Sequence, residues 1–145
     1  MYDTILVAID DSEPARETLT YAIGLADRLD ADLHVLTVVD ATRNPMKFGI
    51  DEVDDLNRAA ATLRENVLAT IDDRDVELHV EVRRGRPDER IVAYAEEIDA
   101  GLILVGRRGE TALPASILGS TTDRLLRHSP IPVVVVPDDE PEDVE

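Results

Sequence analysis

The chain has 145 residues, no cysteine and a formal net charge of −17 at pH 7. A single domain of this length can bury a substantial core, the missing cysteines exclude disulfides and thiolate metal sites, and the negative charge disfavours nucleic acid and anionic membranes as partners. The sequence contains neither an apolar run of about 18 residues nor a signal-peptide pattern, so we expect a cytoplasmic protein.

The first half of the chain alternates strands and helices. Residues 4–9 are apolar and rich in β-branched side chains, which is typical of a central strand. Residues 10–14, Asp-Asp-Ser-Glu-Pro, predict the start of a helix whose apolar face extends to Leu29. A second strand is predicted over 33–39 and, after a connection that contains Asn-Pro and a glycine, a second helix over 52–71.

The second half continues this alternation. In residues 76–82 apolar and polar side chains alternate, which predicts a half-exposed strand at the edge of a sheet. The remaining predicted elements are a helix over 87–98, a strand over 101–105, a helix over 121–128 and a strand over 133–136. We expect one domain over 1–137 and a disordered acidic tail over 138–145.

This order of elements predicts an α/β fold, a single-domain, doubly wound, five-stranded parallel sheet with helices on both faces. The nearly continuous apolar character of the first and fourth strands places them in the middle of the sheet. Ligands of such sheets bind beyond the carboxyl ends of the strands, where the winding direction reverses.

A glycine-bearing loop follows the fourth strand. Gly106-Arg107-Arg108-Gly109 is followed by nine residues and then by Gly119-Ser120-Thr121-Thr122 at the start of a helix. Glycines let a backbone approach a ligand closely, and a helix N-terminus offers unpaired N–H donors and a positive dipole end. The pattern therefore indicates phosphate binding. The alternative is a structural loop in which the glycines shape a turn and Ser120 caps the helix.

The Gly-x2-Gly-x9-Gly-Ser spacing is similar to the signature of the ATP-binding branch of the universal stress protein family. Residues 2–10, 102–106 and 131–136 resemble its first, fourth and fifth strands, and Gly85-Arg86-Pro87 resembles the Gly-x-Pro before its third helix. The resemblance implies a Rossmann-like sheet of the adenine nucleotide alpha hydrolase type with strand order 3-2-1-4-5. It also implies ATP as ligand, with Mg²⁺ or Mn²⁺ held mainly by the phosphates.

Three expected ligand contacts lie at the ends of the first two strands. The Asp10 carboxylate can accept hydrogen bonds from ribose hydroxyls, although it can also cap the helix or remain solvated. The resemblance implies that Val38, at the end of the second strand, contacts adenine through its backbone, the alternative being an ordinary core residue. Ala8 stands where many relatives have proline lining the adenine pocket.

The remaining expected contacts lie in the glycine loop. Gly106 and Gly109 would offer backbone donors to phosphate, and Gly119 would allow close approach. Ser120, Thr121 and, with less support, Thr122 add hydroxyl and N–H donors. The cations Arg107 and Arg108 suit a triphosphate, although they can equally pair with neighbouring carboxylates.

Other polar groups are less informative. Arg83, Arg84 and Arg86 follow the third strand as a second basic cluster that can contact a ligand. His34, His79 and His128 are dispersed along the sequence, so no metal site is predicted.

Three functions are considered: an ATP-binding sensor or switch, an enzyme that uses ATP, and a scaffold that dimerises without nucleotide. The intact glycine signature favours an ATP-binding sensor or switch in the stress response over a nucleotide-independent dimeric scaffold. No P-loop motif and no nucleophile–base pair can be identified, so we predict no catalytic residues and at most slow ATP hydrolysis. The resemblance further implies a homodimer that pairs through the last strand, residues 133–136.

The charge composition also predicts the working environment. Acidic residues outnumber basic ones by 32 to 15, Lys47 is the one lysine, and aromatic residues make up 3% of the chain. Because the Debye length falls to about 3 Å at 1 M salt, self-repulsion of such a chain is screened in concentrated salt. We therefore expect a halophilic protein.

Overall fold

The computed structural model describes residues 2–9, 13–40, 50–71, 76–107 and 119–137. Strands and helices alternate through these residues as predicted. The strands are β1 (Thr4–Ala8), β2 (Asp32–Asp40), β3 (Leu78–Gly85), β4 (Leu102–Gly106) and β5 (Val133–Val136), and the helices are α1 (Glu13–Leu29), α2 (Ile50–Ile71), α3 (Pro87–Glu97) and α4 (Ser120–His128). Most of the predicted connection before α2 and the predicted acidic tail lie outside the described residues.

All strand pairs are parallel, and the strand order is β3-β2-β1-β4-β5. The predicted fold is thus confirmed. Val7 of β1 is in register with Val35 of β2 on one side and with Leu104 of β4 on the other. All three side chains are fully buried, which explains why these strands read as apolar runs in the sequence.

The helices divide between the two faces of the sheet. Leu19 and Ile23 of α1 and Leu63 of α2 belong to one apolar cluster, whereas Ile91 of α3 and Leu125 of α4 belong to a second cluster on the other face. The winding direction therefore reverses between β1 and β4, whose carboxyl ends lie side by side. Within the described ranges, no helix combines the length and the apolar composition that crossing a membrane requires.

β3 is an edge strand, as its alternating pattern predicted. It is longer at its carboxyl end than predicted and extends to Gly85. Its partly buried apolar side chains, Leu78, Val80 and Val82, pack against the cluster beneath α1 and α2. The intervening side chains face the side that carries α3, because successive residues of a strand point to opposite faces. These are His79, Glu81 and Arg83.

The turn from β3 into α3 depends on a glycine. Gly85 has a φ of 149°, a backbone conformation that side chains disfavour. A Cβ atom added there would lie 2.5 Å from the Nε atom of Arg90. Arg86 is the N-cap residue of α3 and Pro87 begins the helix, where a missing N–H costs nothing. The Gly-x-Pro pattern is thus explained by backbone geometry at this corner.

Candidate functional site

The residue that follows β1 is hydrogen-bonded to the middle of β2, the neighbour of β1 on the side away from β4. The Ile9 N–H donates to the Leu36 carbonyl at 2.9 Å, and the Thr37 hydroxyl donates to the Ile9 carbonyl at 3.0 Å. Ala8 is half-buried in the cluster beneath α3 and α4. Asp10, the expected ribose contact, follows this fixed point directly in the sequence but lies outside the described residues.

Val38 lies two residues before the end of β2, not at its end as predicted. Its half-buried side chain packs against the cluster beneath α3 and α4, and it is in register with Arg83 of β3. The side chain of Val38 therefore has the ordinary core role that the sequence left open. A contact with adenine would have to use its backbone.

The start of α4 is anchored to the end of β4. The Arg107 N–H donates to the Val136 carbonyl of β5 at 3.1 Å, and the Gly119 N–H donates to the Arg107 carbonyl at 3.0 Å. The Thr122 hydroxyl donates to the Gly106 carbonyl at 2.8 Å. These bonds bring Gly106 and Gly119 together across residues 108–118. That segment, which includes the predicted contacts Arg108 and Gly109, lies outside the described residues.

The alternative in which Ser120 is the N-cap residue of α4 is wrong. The first intrahelical bond runs from the Asp123 N–H to the Gly119 carbonyl at 2.9 Å, which makes Gly119 the N-cap residue. Gly119 has extended backbone angles and no side chain to cap the helix. Ser120 is therefore the first helical residue, and its side chain is exposed.

Three backbone N–H groups precede the first intrahelical bond of α4, those of Ser120, Thr121 and Thr122. Together with the positive end of the helix dipole, they form an arrangement that favours anions. The hydroxyl of Thr122 does not face an anion at this terminus, because Thr122 is only 5% exposed and its hydroxyl donates to the Gly106 carbonyl. It positions the helix.

The predicted contacts thus fall into two groups. Gly106, Arg107 and residues 119–122 converge where β4 meets α4. Ala8 lies on the neighbouring strand, in register with Val105, and Val38 lies one strand further away on β2. The arrangement offers backbone donors on one side of the reversal point and an apolar wall on the other.

Arg83 and Arg86 of the second basic cluster are paired with carboxylates. Arg83 makes a two-pronged ion pair with Glu97 of α3 at 2.9 and 3.1 Å, and its Nε donates to Glu81 at 2.7 Å. The hydrogen bonds from Arg83 lower the pKa of the Glu97 carboxyl. Arg86 pairs with Asp88 at 3.1 Å. The structure therefore gives Arg83 and Arg86 structural partners, which removes the argument for a ligand role based on clustering alone.

Two of the three histidines, although distant in the sequence, are in contact in the fold. His34 and His79 are in register on β2 and β3, and their rings stack with centroids 4.4 Å apart. His34 Nδ1 also shares a 2.9 Å hydrogen bond with the hydroxyl of Tyr94 on α3. The sequence placed both histidines in strands, but only the pairing register shows that they meet.

Comparisons with known proteins agree on one family. Residues 1–137 match the family model described as the universal stress protein family. The chain is 29% identical over 140 residues to universal stress protein MJ0531 of Methanocaldococcus jannaschii, covering 94% of this chain and 82% of that protein. It is 31% identical over 142 residues to the putative universal stress protein SAUSA300_1656 of Staphylococcus aureus, covering 93% and 84%.

Solved structures share the fold. The hypothetical protein MJ0577 superposes with a TM-score of 0.82 at 27% identity, with 97% of this chain and 99% of that chain covered. A universal stress protein in complex with cAMP has a TM-score of 0.64 at 23% identity, covering 93% and 96%. One from Archaeoglobus fulgidus in complex with dAMP has a TM-score of 0.58 at 24% identity, covering 92% and 97%.

The anchoring of α4 generates a stability prediction. Replacing Thr122 by valine keeps the side-chain shape but leaves the Gly106 carbonyl without its hydroxyl donor, so the free energy of unfolding should fall by about 1–3 kcal/mol. The control is Thr20→Val, because the exposed Thr20 hydroxyl donates to the Arg16 carbonyl within the same helix, α1. That variant should change stability by about 0.5 kcal/mol or less. Urea denaturation measures both, and equal stabilities would contradict the anchoring role.

Proposed function

Since this chain belongs to the universal stress protein family, we propose that it binds an adenine nucleotide, ATP in particular, at the carboxyl ends of β1 and β4. One observation carries the proposal: α4 begins at a glycine, and its first three N–H groups are held at the reversal point of the sheet. Solved proteins of the same fold in complex with cAMP and dAMP are a fold-level precedent for such a ligand.

The proposed division of roles follows the geometry. Phosphate oxygens would accept hydrogen bonds from the N–H groups of Ser120 and Thr121, and the missing side chain of Gly119 would let them approach. The loop that continues from Gly106 and Arg107 through Arg108 and Gly109 would enclose the outer phosphates. Mg²⁺ or Mn²⁺ would be held mainly by phosphate oxygens and water.

The nucleoside would lie on the other side of the reversal point. Asp10 would accept hydrogen bonds from the ribose hydroxyls, while Ala8 and the backbone of Val38 would border the adenine. In this proposal the nucleotide acts as the signal of a cytoplasmic sensor or switch in the stress response. Binding energy would be used to bias conformation or partner choice, not to drive chemistry.

A charge placed at the N-terminus of α4 tests the phosphate site. Ser120→Asp puts a carboxylate beside the proposed phosphates, so affinity for ATP should fall by at least about tenfold, the equivalent of 1.4 kcal/mol. Thermal stability should be maintained or rise slightly, because a negative charge suits a helix N-terminus. Calorimetric titration with ATP, ADP and AMP measures the binding.

The matched control is Ala61→Glu, which adds the same charge at an exposed position of α2. Since α2 packs on the opposite face of the sheet from α4, this variant should bind ATP like the wild type. Binding to none of the three nucleotides below millimolar concentration would contradict the proposal and favour a nucleotide-independent scaffold. Fast multiple turnover of ATP would identify an enzyme instead.

We also propose that the chain forms a homodimer through β5 and works in concentrated salt. β5 is an edge strand, and its residues Val133, Val134 and Val135 are only half-buried. An apolar edge with unpaired backbone groups favours pairing with a second copy. Two subunits that each carry a net charge of −17 repel one another unless salt screens them.

Sedimentation at increasing KCl concentration tests both parts. The dimer fraction should rise between about 0.1 M and several molar KCl, because the Debye length falls from about 10 Å to below about 3 Å. A species of 16 kDa at every salt concentration would contradict the dimer. A dimer fraction independent of KCl would contradict the proposed dependence on salt.

A further inference from the structure

A polar cluster connects α3 to β2 and β3. Tyr94 of α3 is 6% exposed, and its ring forms a T-shaped pair with the ring of His34 of β2, with centroids 5.7 Å apart. The Arg83 guanidinium of β3 lies over the same ring, 4.8 Å from its centroid. Tyr94 is thus held between a titratable ring and a permanent cation.

The second imidazole lies on the outer side of His34. His79 stacks on His34 with an angle of 18° between the ring planes. It is more exposed than His34, and its Nε2 lies 3.8 Å from a carboxylate oxygen of Glu77. The stack is stable with neutral rings, whereas two charged rings at this separation repel one another.

Several charged and titratable groups surround His34, and they shift its pKa in opposite directions. Asp32 on its own strand and Glu81 on β3 favour a charged ring, but burial first and His79 second lower the pKa of His34 below 6.5. β1 contributes the apolar Leu6 in register. α3 contributes Tyr94, whose own pKa is raised by burial, and Glu97, which is bound to Arg83.

We propose that the stacked pair of His34 and His79 is an acid-sensitive latch that holds α3 on β2 and β3 when the rings are neutral and releases it when they become charged. The Tyr94 hydroxyl can donate or accept, so its bond to Nδ1 does not itself require a neutral ring. The neutral and protonated states of His34 differ in charge. A protonated His34 would have His79 on one side and, on the other, the Tyr94 ring over which the Arg83 cation lies. This device does not depend on nucleotide binding.

The direction of the pH effect follows from linkage. Because the folded chain holds the pKa of His34 below 6.5, the unfolded chain takes up a proton first as the pH falls. The stabilisation contributed by neutral His34 is therefore present above pH 6.5 and is lost as the pH falls towards the folded-state pKa. Histidine is the side chain that ordinarily titrates in this window.

Amide hydrogen exchange at about pH 7.5 and about pH 5.5 tests the latch at one fixed salt concentration. After correction for intrinsic exchange rates, protection of α3 should fall several-fold at the lower pH, while protection of α1 should change little. The loss should be absent in His34→Gln and reduced in His79→Gln. His128→Gln is the matched control, because His128 is exposed at the end of α4, and it should respond like the wild type.

NMR titration of the wild-type protein tests the latch even if His34→Gln does not fold. In the wild type, the NMR titration midpoint of His34 should lie below 6.5, and the loss of α3 protection should follow the same titration curve. Removal of His79 should raise that midpoint. Unchanged α3 protection at the lower pH, a His34 midpoint at or above 6.5, or an acid response that persists in both His34→Gln and His79→Gln would overturn the latch.

Discussion

The attachment of α4 to the end of β4 is the constraint on which the candidate site depends. Two hydrogen bonds, Gly119 N–H to Arg107 and Thr122 hydroxyl to Gly106, fix where the helix begins. Because Gly119 has no side chain, the first N–H groups of α4 receive no cap from the residue at that position. A parallel sheet whose winding reverses beside β4 then leaves these donors at the edge where ligands bind.

The electrostatic potential close to the α4 terminus differs from that of the chain as a whole. The chain as a whole repels anions at long range, since its net charge is −17. At the α4 terminus the relevant charges are partial ones on oriented backbone groups, and these act within a few ångströms. Salt screens the long-range repulsion more strongly than short contacts, so concentrated salt and phosphate binding are physically compatible in this protein.

Much of the fold was predictable because local sequence patterns indicate most of its strands and helices. The apolar run of β4, the alternation in β3 and the Gly-x-Pro before α3 each reflect a local constraint, and the strand order came from the family resemblance. The N-cap of α4 was misplaced by one residue because Ser120 fits the capping pattern while the Thr122 hydroxyl bonds outside the helix. The meeting of His34 with His79 was missed, because strand register is set by tertiary packing and not by sequence spacing.

Nucleotide binding at the α4 terminus can be tested by titrating the isotope-labelled chain with ATP and following its backbone amide resonances. We expect the largest saturable shifts at the N–H groups of Ser120, Thr121 and Thr122, with smaller ones at Gly106 and Arg107. Residues of the groove between α1 and α2, such as Thr20 and Thr70, should not respond. Saturable shifts confined to that groove, with the α4 terminus unaffected, would show that α4 does not bind the phosphates.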